Sequence, residues 1–333
     1  MDASPPDPSL AGEPSPRAAS REPRAASREP LRVALGPAAD TFAADAVRQG
    51  GASVVGLGDQ PEALVWLDPA DMAGLVRVLQ TSPQVRWVQL PFAGVEKAVE
   101  AGVVDGKRLW TCAKGSYAEP VAEHALALAL AGLRHLPQRV TARSWGQPAG
   151  TSLFDREVVI LGGGGIAVSL LELLRPFRVR ATVVRRRAES VPGAHRTVTT
   201  TELHQVLPGA LVVFLALALT PDTAGIIGAA ELAAMDGDAW LVNVARGRHV
   251  DTAALVDALR SRSIAGAALD VTDPEPLPER HPLWDLDNCI VTPHTADTIE
   301  MVRPLLAARI RDNVERFSRG EPLVGTVDPT AGY

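Results

Sequence analysis

Cysteine is scarce in this chain: 333 residues include only Cys112 and Cys289. They lie far apart and match no metal-ligand or redox spacing, which excludes a thiol-based metal cluster or redox motif and leaves a reducing, cytoplasmic compartment as the expected setting. No apolar run is long enough to cross a bilayer. An excess of positive charge is also missing. The formal net charge is −6, which argues against general affinity for nucleic acid or for an anionic membrane. What remains is a composition with 46% hydrophobic residues, ordinary for a globular protein, in a chain long enough that two domains are expected.

Residues 1–30 differ from the rest. They are rich in Pro, Ser, Ala and Arg, and the heptad PRAASRE occurs at Pro16–Glu22 and again at Pro23–Glu29. The apolar stretch of a secretory signal is lacking, and Asp2, Asp7, Glu13, Glu22 and Glu29 count against a transit peptide. With almost no large apolar side chains to offset the entropy of ordering, a disordered extension is expected.

From Leu31 the pattern becomes a βα alternation, which predicts parallel α/β units. Leu31–Leu35, Ala63–Leu67 and Val85–Leu90 read as strands, with an amphipathic segment near Leu75–Leu79. Ala118–Leu136 is a long Ala- and Leu-rich helix candidate, with Pro120 tolerable in its first turn. A polar stretch at Ser144–Ser152 follows. A second series of strands then begins at Val158–Leu161 and continues through Ala181–Val184, Leu211–Ala216, Trp240–Val244, Ile264–Val271 and Asn288–Thr292. Ile299–Phe317 reads as one helix, with Gly320 just past its end.

Two features carry chemistry. The first is Val158-Val-Ile-Leu-Gly162-Gly-Gly164-Gly-Ile-Ala167, a Gly-x-Gly-x-x-Ala between a strand and a helix. The first glycine permits a tight turn, the second lets backbone approach a pyrophosphate, and Ala167 allows close helix–strand packing. Four consecutive glycines leave the register ambiguous. An acidic residue expected about 20 residues on would select NAD. Here Thr182-Val-Val is followed by Arg185-Arg186-Arg187 with no acid before Glu189, which favours NADP(H) with NAD(H) possible. The second feature is a trio. Arg246, Glu275 and His294 each lie just past one of three successive apolar runs. If the runs are neighbouring parallel strands, a cation, a carboxylate and an imidazole share the sheet edge where open α/β proteins bind ligands. Asp273 lies close enough to Glu275 to be an alternative partner for the histidine.

Together these motifs resemble the D-isomer-specific 2-hydroxyacid dehydrogenase family. The matching pieces are VAEHALALALA (Val121–Ala131), LGGGGIA (Leu161–Ala167), LTPDTAGIIG (Leu219–Gly228), WLVNVARGRHVD (Trp240–Asp251), GAALDVTDPEPLP (Gly266–Pro278), HPLWDLDN (His281–Asn288) and VTPHTA (Val291–Ala296). The resemblance implies an α/β fold of two Rossmann-like parallel-sheet domains, the nucleotide-binding one inserted into a smaller substrate domain. The expected division is 31–116 with 298–333 for the substrate domain and 117–297 for the NAD(P)-binding domain.

It also implies an oxidoreductase moving a hydride between NAD(P)H and a 2-ketoacid/D-2-hydroxyacid pair, glyoxylate or hydroxypyruvate among the candidates. His294 is then the general acid/base, Glu275 its orienting partner rather than Asp273, and Arg246 the substrate-binding cation. Ala93, Gly94 and Val95 resemble the loop that grips the substrate carboxylate. Gly162, Gly164, Gly165, Ile166, Arg185, Arg186, Thr220, Val244 and Asp270 are the expected cofactor residues, and no residue is assigned to a metal. His124 reads as structural, and Trp284 as a residue near the active site or a neighbouring subunit. A homodimer through Ala118–Leu136 and its surroundings is expected. Departures are Ala167 for a third glycine, Ala218 for a proline, bulky Phe92 in the substrate loop, and Asp297 where a small residue is frequent. If it points inward, Asp297 affects substrate charge preference. An NAD(P)H-sensing, corepressor-like protein on the same scaffold is the alternative. Formate oxidation is disfavoured, because those members pair the histidine with glutamine.

Overall fold

The computed structural model describes residues 29–328. The extension expected over residues 1–30 lies, apart from its last two residues, outside the described residues. The strands of the first sheet are β1 (Arg32–Gly36), β2 (Ser53–Val55), β3 (Ala63–Trp66), β4 (Trp87–Gln89) and β5 (Leu109–Thr111), in the spatial order β2-β1-β3-β4-β5, all parallel. Every residue of β3 is buried, as a strand covered on both faces requires. Its flanking helices are α1 (Thr41–Gln49), α2 (Met72–Thr81) and the short α3 (Glu96–Glu100). Asp40 caps α1 through the N–H of Phe42, and Asp71 caps α2 through that of Gly74, each satisfying a donor the helix leaves unpaired.

The chain crosses to a second sheet through α4 (Ala118–Leu133) and α5 (Leu136–Thr141). The helix expected to reach Leu136 stops at Leu133. Pro137 would clash with the carbonyl of residue 133 in a continuous helix, and His135 instead takes a left-handed φ of 52°. The second sheet contains β6 (Glu157–Leu161), β7 (Arg180–Arg185), β8 (Arg196–Thr199), β9 (Ala210–Leu215), β10 (Trp240–Asn243), β11 (Gly266–Leu269) and β12 (Cys289–Val291). Its order is β12-β11-β10-β9-β6-β7-β8, again parallel throughout. Helices α6 (Gly165–Leu174), α7 (Leu203–Val206), α8 (Ala229–Ala234) and α9 (Thr252–Ser261) complete it. The strand order reverses between β6 and β9, which makes the carboxyl ends of these two strands the topological switch point.

Small residues bring α4 onto this sheet. A Cβ at Gly132 would come within 2.4 Å of the Trp240 indole, and one at Gly165 within 3.2 Å of Ala118. After β12 the chain returns to the first sheet in α10 (Ile299–Arg319), closed by Gly320 at φ 71°. A Cβ at Gly50, next to α1, would meet Val314 at 2.7 Å, so α10 and α1 are in close contact. Short strands β2, β5 and β8 are absent from the sequence expectation. Each is three or four residues of mixed polarity, too short to show a period.

Candidate active site

Strands β10, β11 and β12 are consecutive in space, so the segments leaving their carboxyl ends share one edge. Arg246 opens the turn after β10. Buried Asn243 shapes that turn by donating to the Arg246 carbonyl (2.9 Å) and accepting from the N–H of Ala245 (3.0 Å). The Arg246 guanidinium is half-buried, and Nη1 donates to the Ala245 carbonyl at 2.7 Å. Gly247 follows because a Cβ there would lie 2.0 Å from the backbone of Thr272, in the loop after β11.

That loop carries Glu275. Its carboxylate Oε1 is 2.7 Å from His294 Nδ1, and both side chains are 42% exposed, open to a ligand. The carboxylate in contact with the imidazole is therefore that of Glu275. Asp273 takes part in a different arrangement, its carbonyl accepting from the Thr252 hydroxyl at 2.9 Å. His294 has a left-handed φ of 50°, uncommon for a residue with a Cβ. Its N–H is held by the carbonyls of Asp270 (2.9 Å) and Thr292 (3.0 Å).

Beneath this loop lies buried Asp270. Its Oδ1 accepts from the Thr292 hydroxyl (2.6 Å) and the N–H of Thr295 (2.9 Å), and Oδ2 accepts from the N–H of Ala296 (3.1 Å). His124 of α4 approaches Oδ1 at 3.3 Å and the Thr292 hydroxyl at 3.1 Å. Burial alone would raise the Asp270 pKa, but hydrogen bonds from His124, Thr292, Thr295 and Ala296 outweigh it and hold the group at about 2. Asp270, expected beside the cofactor, thus directs its carboxylate into the turn that positions His294. His124 is part of the same structure.

At the switch point, Gly162 has a φ of 109°, and a Cβ there would stand 2.2 Å from the Ala216 carbonyl in the loop after β9. Only glycine meets both conditions. Gly164, the residue before α6, has open space on its Cβ side, and Gly165 and Ile166 form the first turn of the helix. Ala167 is fully buried. Arg185, at the end of β7, lies across Gly163, whose added Cβ would be 3.0 Å from Arg185 Cδ. Glu189 faces the guanidinium groups of Arg185 (3.6 Å) and Arg187 (3.9 Å), while Arg186 is exposed. Thr220 sits in a turn after β9, its N–H bound to the Thr223 hydroxyl at 2.8 Å. Val244 is buried just past β10.

The remaining expected element is the loop after β4. The Tyr117 hydroxyl donates to the Pro91 carbonyl at 2.5 Å, the N–H of Ala113 to the Phe92 carbonyl at 3.0 Å, and Cys112 Sγ to the Ala93 carbonyl at 3.6 Å. The loop is therefore pinned by its carbonyls. The Val95 side chain belongs to the core, whereas Ala93 and Phe92 are exposed.

Tyr117 adds to the sequence expectation, and Asp297, already marked there as a departure, gains surroundings. Burial raises the pKa of Tyr117, with Asp297 contributing and Arg309 opposing. Burial likewise raises the carboxyl of half-buried Asp297, with Asp270 adding to the effect and the charges of His294 and Arg246 opposing it. Asp297 therefore faces the same charges as the trio. Tyr117 stands in a plain stretch before α4, and no sequence signal marks it.

A fold of two parallel sheets, a glycine turn at the switch point and a histidine–glutamate pair on the adjacent strand ends define a dinucleotide-dependent oxidoreductase scaffold. Comparison with known proteins agrees. Residues 124–296 match the family model for the D-isomer specific 2-hydroxyacid dehydrogenase NAD binding domain. An uncharacterized protein from the proB 3′ region of Corynebacterium melassecola is 43% identical over 255 residues, covering 75% of this chain and 84% of that protein. Glyoxylate/hydroxypyruvate reductase A of Klebsiella pneumoniae (strain 342) is 37% identical over 177 residues, which span 53% of this chain and 56% of the reductase. A D-isomer specific 2-hydroxyacid dehydrogenase from Xanthobacter autotrophicus Py2, solved with NADPH and MES, superposes with a TM-score of 0.79 at 26% identity, covering 92% of this chain and all of that one. The chain belongs to the D-isomer specific 2-hydroxyacid dehydrogenase family. Among the described residues no helix is long and apolar enough to cross a membrane.

Proposed function

We propose that this chain is an NADPH-dependent 2-ketoacid reductase of the glyoxylate/hydroxypyruvate type, with His294 as general acid, Glu275 as its orienting partner and Arg246 as the substrate-binding cation. The observation that carries the reading is the 2.7 Å contact between His294 Nδ1 and Glu275 Oε1, on strand ends neighbouring that of Arg246. An ionised carboxylate only accepts hydrogen bonds, so the shared proton sits on Nδ1 and Nε2 is the atom that gives or takes the reacting proton. In the reducing direction the imidazolium protonates the carbonyl oxygen of the substrate. Arg246 holds the substrate's carboxylate or carbonyl oxygen and stabilises charge as it develops there. Ala93, Gly94 and Val95 bind the carboxylate through backbone, the buried Val95 side chain being committed to the core.

The residues present fit a dinucleotide. Gly162 and Gly164 keep backbone free of side chains at the switch point, and the first turn of α6, Gly165 and Ile166, receives the diphosphate. Arg185 and Arg186 meet the 2′-phosphate, and Thr220, Val244 and Asp270 flank the remainder of the cofactor. When bound, the nicotinamide supplies the hydride. The NADPH in the Xanthobacter relative supports the choice of NADP(H) over NAD(H).

Purified protein mixed with NADPH or NADH and a panel of 2-ketoacids tests the assignment. Reduction of glyoxylate or hydroxypyruvate, with higher kcat/KM for NADPH, is expected. Replacing His294 by Ala lowers kcat about 10³-fold and leaves the Kd for NADPH unchanged. Retained turnover in that variant removes His294 from its role. Tight NADPH binding without oxidation by any ketoacid favours the cofactor-sensing alternative.

The working unit under this proposal is a cytoplasmic homodimer. Leu136, Val140, Trp145 and Phe154 are exposed apolar residues within one stretch between α4 and β6, a surface suited to a second copy of the chain.

A further inference from the structure

The carboxylate of Asp297 occupies a place that neither the proton-transfer pair nor the cofactor cradle explains. We infer that Asp297 reads the charge of the substrate's side chain, turning away ketoacids with a second carboxylate and favouring those with a cationic or hydrogen-bond-donating group. This rests on the ketoacid-reductase reading above and deepens it.

Three sets of observations place the group. First, the backbone on both sides of it is fixed. The preceding N–H groups of Thr295 and Ala296 are bound to Asp270 at 2.9 and 3.1 Å, and α10 begins immediately after it, with Thr298 accepting from the N–H groups of Met301 (3.0 Å) and Val302 (2.9 Å). Asp297 is thus held three residues beyond His294 on a turn with little freedom. Second, its half-buried carboxylate feels the charges of His294 and Arg246, from the loops after β12 and β10, and that of Asp270 below. It also acts on Tyr117, whose hydroxyl is fixed on the Pro91 carbonyl of the proposed substrate loop at 2.5 Å. The groups that act on it thus come from the loops after β10 and β12, from the end of β11 and from the residue before α4. Third, among the described residues no other residue hydrogen-bonds or ion-pairs with its carboxylate, which accepts from its own backbone N–H. Asp270, in contrast, has its acceptors occupied by Thr292, Thr295, Ala296 and His124.

The consequence follows from electrostatics. Arg246 takes the carboxylate that every 2-ketoacid has. A second carboxylate on the substrate then shares a partly desolvated crevice with Asp297, where like charges repel more strongly than in water. A cation or hydroxyl in that place gains an acceptor. Discrimination of this kind acts on the ratio of kcat/KM between substrates rather than on the chemistry common to them.

Wild-type protein, Asp297→Asn and Asp297→Glu are compared at pH 8 with NADPH and three 2-ketoacids of similar length. One has a neutral side chain, one a terminal carboxylate and one a terminal guanidinium. Asp297→Asn is expected to raise the dicarboxylate-to-neutral ratio of kcat/KM about tenfold and to lower the guanidinium-to-neutral ratio by about the same factor. Asp297→Glu, which keeps the charge, preserves the wild-type order. Equal change for all three substrates overturns the inference, since it marks an effect on His294 or on folding instead, and unchanged ratios do the same. If wild-type protein reduces no ketoacid, the function proposal has failed separately. The selectivity is then measured without turnover, by calorimetry of D-malate against D-lactate binding to the NADPH complex. Relief of D-malate discrimination in Asp297→Asn supports the inference. Equal discrimination in both proteins, or binding of neither acid, overturns it.

Discussion

His294 and Asp270 show how differently two residues of one loop system reveal themselves. Arg246, Glu275 and His294 were legible in the sequence because each follows an apolar run that forms a strand, and parallel neighbours put such positions on one edge. The work of Asp270 was not legible, because its partners come from α4, from Thr292 in the following loop and from two backbone N–H groups 25 and 26 residues away. That arrangement makes a pH prediction. The Asp270 pKa is lowered from 3.8 to about 2, so its contribution to stability is fully present above about pH 4 and is lost as pH falls through about 2. The shift corresponds to about 2 kcal/mol. His124 and Asp297 are the titratable groups that face it, from α4 and from the turn before α10. Asp270→Asn is expected to lose about 2 kcal/mol at pH 7, because an amide NH₂ replaces one acceptor of the turn. Denaturant unfolding measures the loss, and its difference from wild type shrinks below pH 3. A constant difference at all pH values contradicts the assignment of the loss to the ionised carboxylate.

Among the elements, α10 has the task of returning the chain to the first sheet. Its length and its glycine stop were readable from periodicity and from Gly320, and the family resemblance implied that it rejoins the first domain, but the contact that anchors it there was not legible. Buried Asn313 provides it. Its amide donates to Gln89 Oε1 of β4 (3.0 Å) and to the Val324 carbonyl (2.9 Å), and it accepts from the Val324 N–H (2.8 Å). Gln89 in turn accepts from the Thr111 hydroxyl of β5, which accepts from the Trp87 indole N–H, both at 2.8 Å. Asn313→Ala strands several of these groups in a closed interior and is expected to cost about 2–3 kcal/mol. Hydrogen exchange localises the effect: amides of residues 322–327 lose protection while those of β6 and β9 keep theirs. Uniform loss across both sheets contradicts a local anchor. The break between α4 and α5 teaches the same lesson in reverse. Pro137 was visible in the sequence and the expected helix ended just before it, but Leu136 continued the apolar pattern and hid the earlier stop at Leu133.

At the scale of the molecule, the exposed apolar residues after α4 make association the expected state. Trp145 is 97% and Val140 79% exposed, values that suit a face covered by a partner. Sedimentation velocity is expected to give a dimer, and Val140→Asp combined with Trp145→Ser a folded monomer. A monomeric wild type contradicts the proposal. By itself the sequence determined the βα alternation, the glycine turn, the trio and the family, because these depend on local pattern, short spacing and residue type. Tertiary structure alone decided which strands are neighbours, that the switch point lies between β6 and β9, that Asp270 and His124 support the histidine's turn, and that Asp297 faces the charges of His294 and Arg246. The reason is physical. Those relations join residues far apart in the chain, and only packing two sheets and their helices into close contact brings such groups within reach of a hydrogen bond or an unscreened charge.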